Sequence, residues 1–329
     1  MSQQVRPAAS AAPGATNGQA ASPNTQHRVP SGRPNTQSLP MGKPRRRLPA
    51  WLAPFRESGA VALGAGILLL ATLIAITAPL LAPVDPLRID LLRKLQPPVW
   101  AGGAWPNLLG TDHLGRDVLS RTLYGTQISL IVGLFSVIGS GTLGIALGLL
   151  AGYFRGMVDA VIMRVADVQQ SFPYLALAIA VVAVLGPGLW NLILVLAATG
   201  WILYARVVRA EVLSIREREF VLSARAMGAT DLRIMLRHVL PNILAPTIIV
   251  ATFSFAYVII AEASLSFLGL GVDPSTPSWG LMLSESRNYL QVAWWYPSFP
   301  GIALLVTVMG TNLLGDGLRD LWDPRLQQD

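Results

Sequence analysis

The sequence predicts an all-α integral membrane protein with six transmembrane helices and one helical element at the cytoplasmic surface. Three observations lead there. First, 52% of the 329 residues are hydrophobic, only 13% are charged, and the mean hydropathy is +0.50; a soluble domain carries roughly a quarter charged residues. Second, apolar stretches recur that, at ~1.5 Å per residue, cover a hydrocarbon core of ~30 Å. Third, Lys and Arg concentrate in alternate connections between those stretches, as the positive-inside bias requires. The net charge of +7 therefore reads as juxtamembrane charge, and nucleic acid is not expected as a partner. The absence of cysteine excludes disulfides, thiolate nucleophiles and Cys-based metal sites. His27, His113 and His238 lie far apart in sequence, so no metal site is assigned.

Residues 1–50 are rich in Pro, Ala, Ser, Asn, Gln and Gly. Such a segment buries too little apolar surface to offset its ordering entropy and is expected to be a disordered tail. It ends in Lys43-Pro44-Arg45-Arg46-Arg47, which suits an anionic cytoplasmic membrane face. Residues 51–127 hold the first span, Val61 to Ala82, closed by Pro83, Asp85 and Pro86, and then a polar extracytoplasmic segment. Residues 128–318 form the core. Its first span, Ile128 to about Leu150, carries Gly144, Gly148 and Gly152 at four-residue spacing, a face for close helix packing. The next is weaker, with Arg164, Asp167, Gln169 and Gln170 ahead of an apolar run from Phe172 to Leu185. After the turn Gly186-Pro187-Gly188 come Leu189–Val208, then Ile243–Ile260, and a last span from about Pro300 to Leu314. Residues 319–329 form a C-terminal tail.

Six spans put both termini on one side. Nineteen Lys and Arg lie on the side of the two tails and six on the other, so both termini are expected in the cytoplasm.

Between the fourth and fifth spans, Glu211 to Asn242 is the one long polar run of the second half. Apolar Val212, Leu213, Ile215, Phe220, Leu222, Ala226 and Met227 recur at loosely helical spacing among Arg216, Arg218, Arg225, Arg233 and Arg237. Gly228 interrupts the pattern and Pro241 ends it, which predicts two short helices meeting at a glycine bend. Such an element lies on a membrane surface, docks into another protein, or serves as a solvated amphipathic connector.

Other ionisable residues stand out. Asp112, His113, Arg116 and Asp117 match no common ligand spacing and are expected as an ion-paired amphipathic helix on the extracytoplasmic side, in reach of an external partner. Glu262, followed by Ser264 and Ser266, lies at membrane depth. It is expected either to line the pathway or its outer gate, or to make a structural bond. Arg164 and Asp167 are expected to pair locally. Asp316, Arg319 and Asp320 are expected to fix the last helix end. Trp279, Trp294 and Trp295 read as interface anchors.

Five stretches carry a resemblance: LLGTDHLGRDVLSRTLYGTQISLIVG, AGYFRGMVDAVIMRVADVQQSFPYLALA, YARVVRAEVLSIREREFVLSARAMGATDLRIMLRHVLPN, EASLSFLGLGVDPSTPSWG and NLLGDGLRDLWDPR. In this order, from about Phe55 to Arg325, the chain resembles the permease subunit of ABC importers of the dipeptide, oligopeptide and nickel class, DppC/OppC-like. The resemblance implies a type I importer permease fold in the bilayer of a prokaryotic inner membrane. The family's cytoplasmic signature falls on Leu222, Ser223, Ala224, Gly228, His238, Leu240 and Pro241. Leu222 stands where that signature has Glu, Ser223 where it has the first Ala, and His238 where it has Ile. The resemblance implies that this is a coupling helix contacting an ATPase, with Leu222, Ser223, Ala224, Arg225, Met227, Gly228, Ala229, His238 and Pro241 as its coupling residues. Implied partners are a homologous permease, two cytoplasmic ATPase subunits and an extracytoplasmic substrate-binding protein. The chain has no GxxxxGK[ST] loop, so ATP and magnesium are expected in the partners and no cofactor here. Peptide transport is the expected function and no catalytic residue is assigned. Nickel or another small solute is the alternative within the family; a membrane-embedded enzyme using Asp112 to Asp117, or an ion-gradient transporter, are the alternatives outside it.

Overall fold

The computed structural model describes residues 59–322; among them the regular structure is helical, and the one strand-like pairing is an isolated bridge between Thr111 and Asp117. The expected N-terminal tail with its basic cluster, and residues 323–329, lie outside the described residues.

The first helix, α1 (Gly59–Leu81), carries no charge, and its Thr72 and Thr77 hydroxyls bond to carbonyls one turn back. It stops before Pro83, which has no N–H to continue the ladder. The second, α2 (Val118–Phe154), starts ten residues ahead of the expected Ile128. The cause is a cap: the Asp117 carboxylate accepts from Ser120 N at 2.7 Å and Ser120 Oγ at 2.8 Å, an N-terminal anchor worth ~1 kcal/mol. The polar residues of that added stretch, Ser120, Arg121, Thr122 and Thr126, are buried against protein.

Two helices at right angles follow, α3 (Gly156–Gln170) and α4 (Tyr174–Leu185), bent by 86°. Then comes α5 (Leu189–Ile215). The glycine face of α2 packs on α5 as its spacing predicts. A Cβ on Gly148 would lie 2.6 Å from Ala205 O, and one on Gly152 2.8 Å from Val212 Cβ, so backbone meets backbone with no room for side chains. Position increases together along both helices, Gly144 beside Tyr204, Gly148 beside Ala205 and Gly152 beside Val212. Hence α2 and α5 run parallel. The chain between them must recross the bundle, and α3 with α4 is therefore one broken span. With it, the expected count of six is met; five helices cross by length and apolarity alone.

The polar run gives α6 (Glu219–Ala226) and the single turn α7 (Asp231–Ile234), followed by a π-helical turn over Met235–Val239 that feeds directly into α8 (Leu240–Phe267). Here the expectation for Pro241 is corrected. Proline sits in the first turn of α8 instead of ending a helix, because the wide i→i+5 turn before it already forgoes the ladder bond its missing N–H would have made. A short α9 (Trp279–Ser286) and α10 (Trp295–Trp322) complete the bundle. The last helix extends through residues 319–322, past the start of the C-terminal tail expected from sequence. Ser129 meeting Glu262 and Gly133 meeting Phe255 show that α8 runs antiparallel to α2. One end of the bundle thus carries Asp117, Leu189, Phe267 and Trp295; the other carries Phe154, Ile215, Leu240 and the α6–α7 element.

Candidate functional site

At the second of these ends, α6 is fixed by its buried side. Val221 and Ala224 pack with Ile234, Met235 and Val239 against Leu149, Tyr153, Val208, Val212 and Ile215, the terminal turns of α2 and α5. Ala224 is small enough for that approach, as its type predicts. The helix ends in a Schellman arrangement: Ala229 N–H donates to Ala224 O at 3.1 Å and Gly228 N–H to Arg225 O at 3.0 Å. Gly228 sits at φ +82° with nothing within 4 Å of where a Cβ would be. Glycine is needed here for its backbone freedom, not for space.

Polar bonds complete the fastening. Tyr153 Oη donates to Asp231 at 2.6 Å and accepts from Arg225 at 3.1 Å, with the Arg225 guanidinium 5.7 Å from the Tyr153 ring. Arg216 donates to the Tyr153 carbonyl. Among exposed polar residues, large apolar side chains also remain outward: Phe220 is 40% exposed, Leu222 46%, Met227 82% and Leu232 63%. A strip of large hydrophobic side chains on a rigid polar-edged element is a surface made to be covered. The expected ion pair Arg164–Asp167 is replaced by one across helices, Arg206–Asp167 at 2.7 Å, and Asp159 is held twice by Arg209, at 2.6 Å to one of its nitrogens.

The opposite end holds the Asp112 cluster. Asp112, Arg116 and Asp117 do not form the expected amphipathic helix; they make a tight loop whose end, Asp117, caps α2. Their ion pairing is as expected but deeper. Asp112 binds Arg116 Nε at 2.6 Å and also Arg121, while Glu285 from α9 binds Arg116 at 2.9 Å, Arg121 at 2.8 Å and Tyr296 Oη at 2.8 Å. Burial pushes the Glu285 carboxyl up, but Arg121 and Arg116 outweigh it and hold it below the usual carboxylate range. His113 touches Tyr296 Oη at 3.2 Å and stacks on Tyr289 at 5.6 Å. Burial lowers its basicity, against the pull of Asp112 and Glu285. Asp112, His113 and Glu285 lie close enough to share a cation, yet both acids already serve two guanidinium groups, whose charge repels a metal.

Glu262 and Ser266 are sealed inside the subunit, Glu262 at 0% exposure. Of the two roles expected for Glu262 the structure supplies the bond: its carboxylate accepts from Ser129 Oγ at 3.0 Å and Ser266 Oγ at 2.8 Å, joining α8 to α2. Ser264 donates to Ile260 O within its own helix. Two tryptophans depart from the anchor reading. Trp279 and Trp295 are buried, and each donates its indole N–H to a backbone carbonyl, of Thr122 at 3.0 Å and Thr111 at 3.1 Å; only Trp294 stays half-exposed. Sequence reasoning missed Tyr153, Arg121, Glu285 and Tyr296. Their partners lie up to 183 positions away in the chain, so no local pattern marks them.

Comparison with known proteins fits this geometry. Residues 144–328 match the family of binding-protein-dependent transport system inner membrane components, and residues 50–98 match the N-terminal transmembrane domain of oligopeptide transport permease C. The chain is 44% identical over 305 residues to the di/tripeptide transport system permease protein DppC of Pseudomonas aeruginosa, covering 92% of this chain and 99% of that one. It is 43% identical to the glutathione transport system permease protein GsiD of Pectobacterium atrosepticum, covering 84% and 90%. Its fold is similar to that of a chain in inward-facing structures of the MetNI methionine ABC transporter, with TM-score 0.53, 19% identity, and coverage of 62% and 97%. The chain belongs to the family of binding-protein-dependent transport system inner membrane components, as a multi-pass permease subunit and not an enzyme.

Proposed function

We propose that this permease imports di- and oligopeptides in an ATP-driven complex, pairing with a homologous permease and receiving force through the α6–α7 element. The observation that carries the coupling role is the outward apolar strip Leu222, Met227 and Leu232 on an element bolted to the ends of α2 and α5. Ser223, Arg225, Ala229, His238 and Pro241 frame it. Two cytoplasmic ATPase subunits, which bind the ATP and magnesium, take this strip into a surface cleft. ATP-driven closure moves the strip, and because Tyr153, Arg216 and Arg225 tie it to the spans, the helices move with it. The bundle end carrying α6 faces the cytoplasm, with both termini, as the charge bias supports. The other end, whose loops are braced from inside by Asp112, Arg116 and Asp117, receives the extracytoplasmic substrate-binding protein.

The peptide substrate is supported by the printed names of relatives that align along nearly their whole length. The test is uptake of a labelled dipeptide by membrane vesicles carrying the complete complex. Leu222→Asp with Met227→Asp is expected to abolish uptake while the subunit stays inserted; undiminished uptake refutes the coupling role.

A further inference from the structure

At the end of the bundle away from α6, the chain between α1 and α2 leaves large apolar side chains in the open. Leu87 is 47% exposed, Trp100 62% and Trp105 69%, and Trp294, just ahead of α10, is 50% exposed. The buried Asp112 cluster uses none of them.

Their depth says what covers them. A Cβ on Gly64 would meet Gly310 O and Leu314 N, both at 2.5 Å, and one on Gly310 would meet Ile67 Cγ2 at 2.5 Å. Hence α1 and α10 run antiparallel in close contact. At ~1.5 Å per residue along both helices, Phe299 in the second turn of α10 comes level with Ala78, about one turn inside the end of α1 at Leu81. That end faces lipid: Leu80 is 86% exposed, and the next charge is Asp85. Trp100 packs edge-on against Phe299 with centroids 6.2 Å apart, and Trp294 lies 6.3 Å from the same ring. The loop therefore does not stand up from the bundle. It turns back against α10 until its indole reaches the depth of the last turn of α1.

The loop is also held in that position. Val99 N–H donates to Leu108 O at 3.2 Å and Gly103 N–H to Pro98 O at 3.1 Å, so one short closed turn carries both Trp100 and Trp105. Closer to α1, a crevice of about 430 Å³ is bordered by Pro79, Leu87 and Tyr124, which places Leu87 beside the helix the chain has just left. On the same segment Arg88 and Lys94 are exposed and have no ion pair among the described residues, whereas Arg93 pairs with Asp90 at 3.5 Å. Asp85 turns its carboxylate to Leu87 N–H at 2.9 Å. Indole rings at the edge of the hydrocarbon, beside unpaired cations, match the glycerol and phosphate levels of a lipid leaflet. A soluble protein would have to reach below the end of α1 to cover Trp100.

We propose that residues 82–105 form a lipid-contacting belt, with Trp100, Trp105 and Trp294 seated at the membrane interface and Arg88 and Lys94 facing lipid phosphates. The belt gives the subunit a contact with the bilayer surface besides its spans. It requires the multi-pass fold alone and is independent of the transported solute and of the ATPase.

The test uses the complete complex in nanodiscs of phosphatidylethanolamine and phosphatidylglycerol, with the other subunits free of cysteine. A nitroxide is attached at Ala101→Cys, which keeps both tryptophans, and separately at Trp100→Cys. Leu73→Cys, exposed on α1, gives the hydrocarbon reference, and Ser275→Cys, exposed in the loop before α9, gives the aqueous one. Collision rates are measured with oxygen, which partitions into lipid, and with a water-soluble nickel chelate. The ratio of oxygen to chelate collisions at positions 101 and 100 is expected to be several-fold above that at Ser275→Cys, to approach that at Leu73→Cys, and to stay unchanged when binding protein is added. Ala101→Cys decides the matter should Trp100→Cys fail to assemble. A ratio equal to that at Ser275→Cys overturns the belt. Loss of collisions with both reagents on adding binding protein also overturns it and assigns the patch to that protein.

Discussion

The two ends of this bundle use charge in opposite ways. At the end with the Asp112 cluster, two acids and two arginines are folded inward; Arg121 is 1% exposed and every carboxylate oxygen of Asp112 and Glu285 is engaged. At the end with α6, most arginines stay at the surface and the large apolar side chains point outward. Buried paired charge fastens the segment before α2 to α9 and α10. Exposed apolar surface with a charged edge waits for a partner. In the proposed function, a basic, polar-looking stretch is the docking element, while the acidic and histidine cluster that resembles chemistry is ion-paired within the fold.

This contrast can be broken most forcefully at Arg121. Arg121→Met leaves Asp112 and Glu285 sharing Arg116 as their one remaining guanidinium, and removing one partner of a buried pair costs up to ~3–5 kcal/mol. Thermal unfolding of the purified complex is expected to show a large loss of stability at this outer end. A variant as stable as wild type shows the cluster to be dispensable.

At the other end, effects are expected on binding and not on stability. Met227→Asp removes an exposed apolar anchor and is expected to weaken ATPase association by ~2 kcal/mol, read as loss of co-purifying ATPase, with unfolding unchanged. Gly228→Val introduces a side chain at φ +82°, a strain of ~1–2 kcal/mol without a clash, and is expected to abolish uptake while the protein remains inserted. Tyr153→Phe deletes the hydroxyl joining Asp231 to Arg225; at ~1 kcal/mol it sharpens the comparison by loosening α6–α7 alone, detectable as faster amide exchange there.

The smallest effect is a pH dependence confined to the outer end. His113 and Glu285 both have folded-state values below their ordinary ones, His113 through burial and Glu285 because Arg121 and Arg116 outweigh burial. A lowered value means that the unfolded chain takes up the proton first, so the stabilisation is complete above the ordinary value and lost as pH falls. Acidification below the ordinary histidine value of about 6.5 and then the carboxylate value of about 4.3 is expected to loosen α9 progressively. Amide exchange of α9 against α6 across that range checks it; equal acid sensitivity at both ends contradicts it.

Much of this arrangement was legible from local patterns. Uninterrupted apolar length marks α1, glycine spacing marks the α2 face that meets α5, and Gly228 marks the bend after α6. Pairings between distant segments were not. Trp279 and Trp295 carry the composition of interface anchors, yet each finds a carbonyl across the fold, and Asp167 prefers Arg206 over its neighbour Arg164 because the parallel packing of α5 brings a guanidinium to it. Nothing near Asp117 in sequence says that its carboxylate starts a helix ten residues early except the residues it caps. Pro241 misleads for a related reason: its effect depends on the π-turn before it, which has no sequence period of its own.

The central claim is that the α6 surface bears on an ATPase at the cytoplasmic side. Because the chain has no native cysteine, a single Met227→Cys variant in the assembled complex gives a clean crosslinking site. The account predicts a crosslink to the ATPase subunit that changes in yield when ATP is bound; labelling of that cysteine only from the extracytoplasmic side, with no ATPase crosslink, contradicts it.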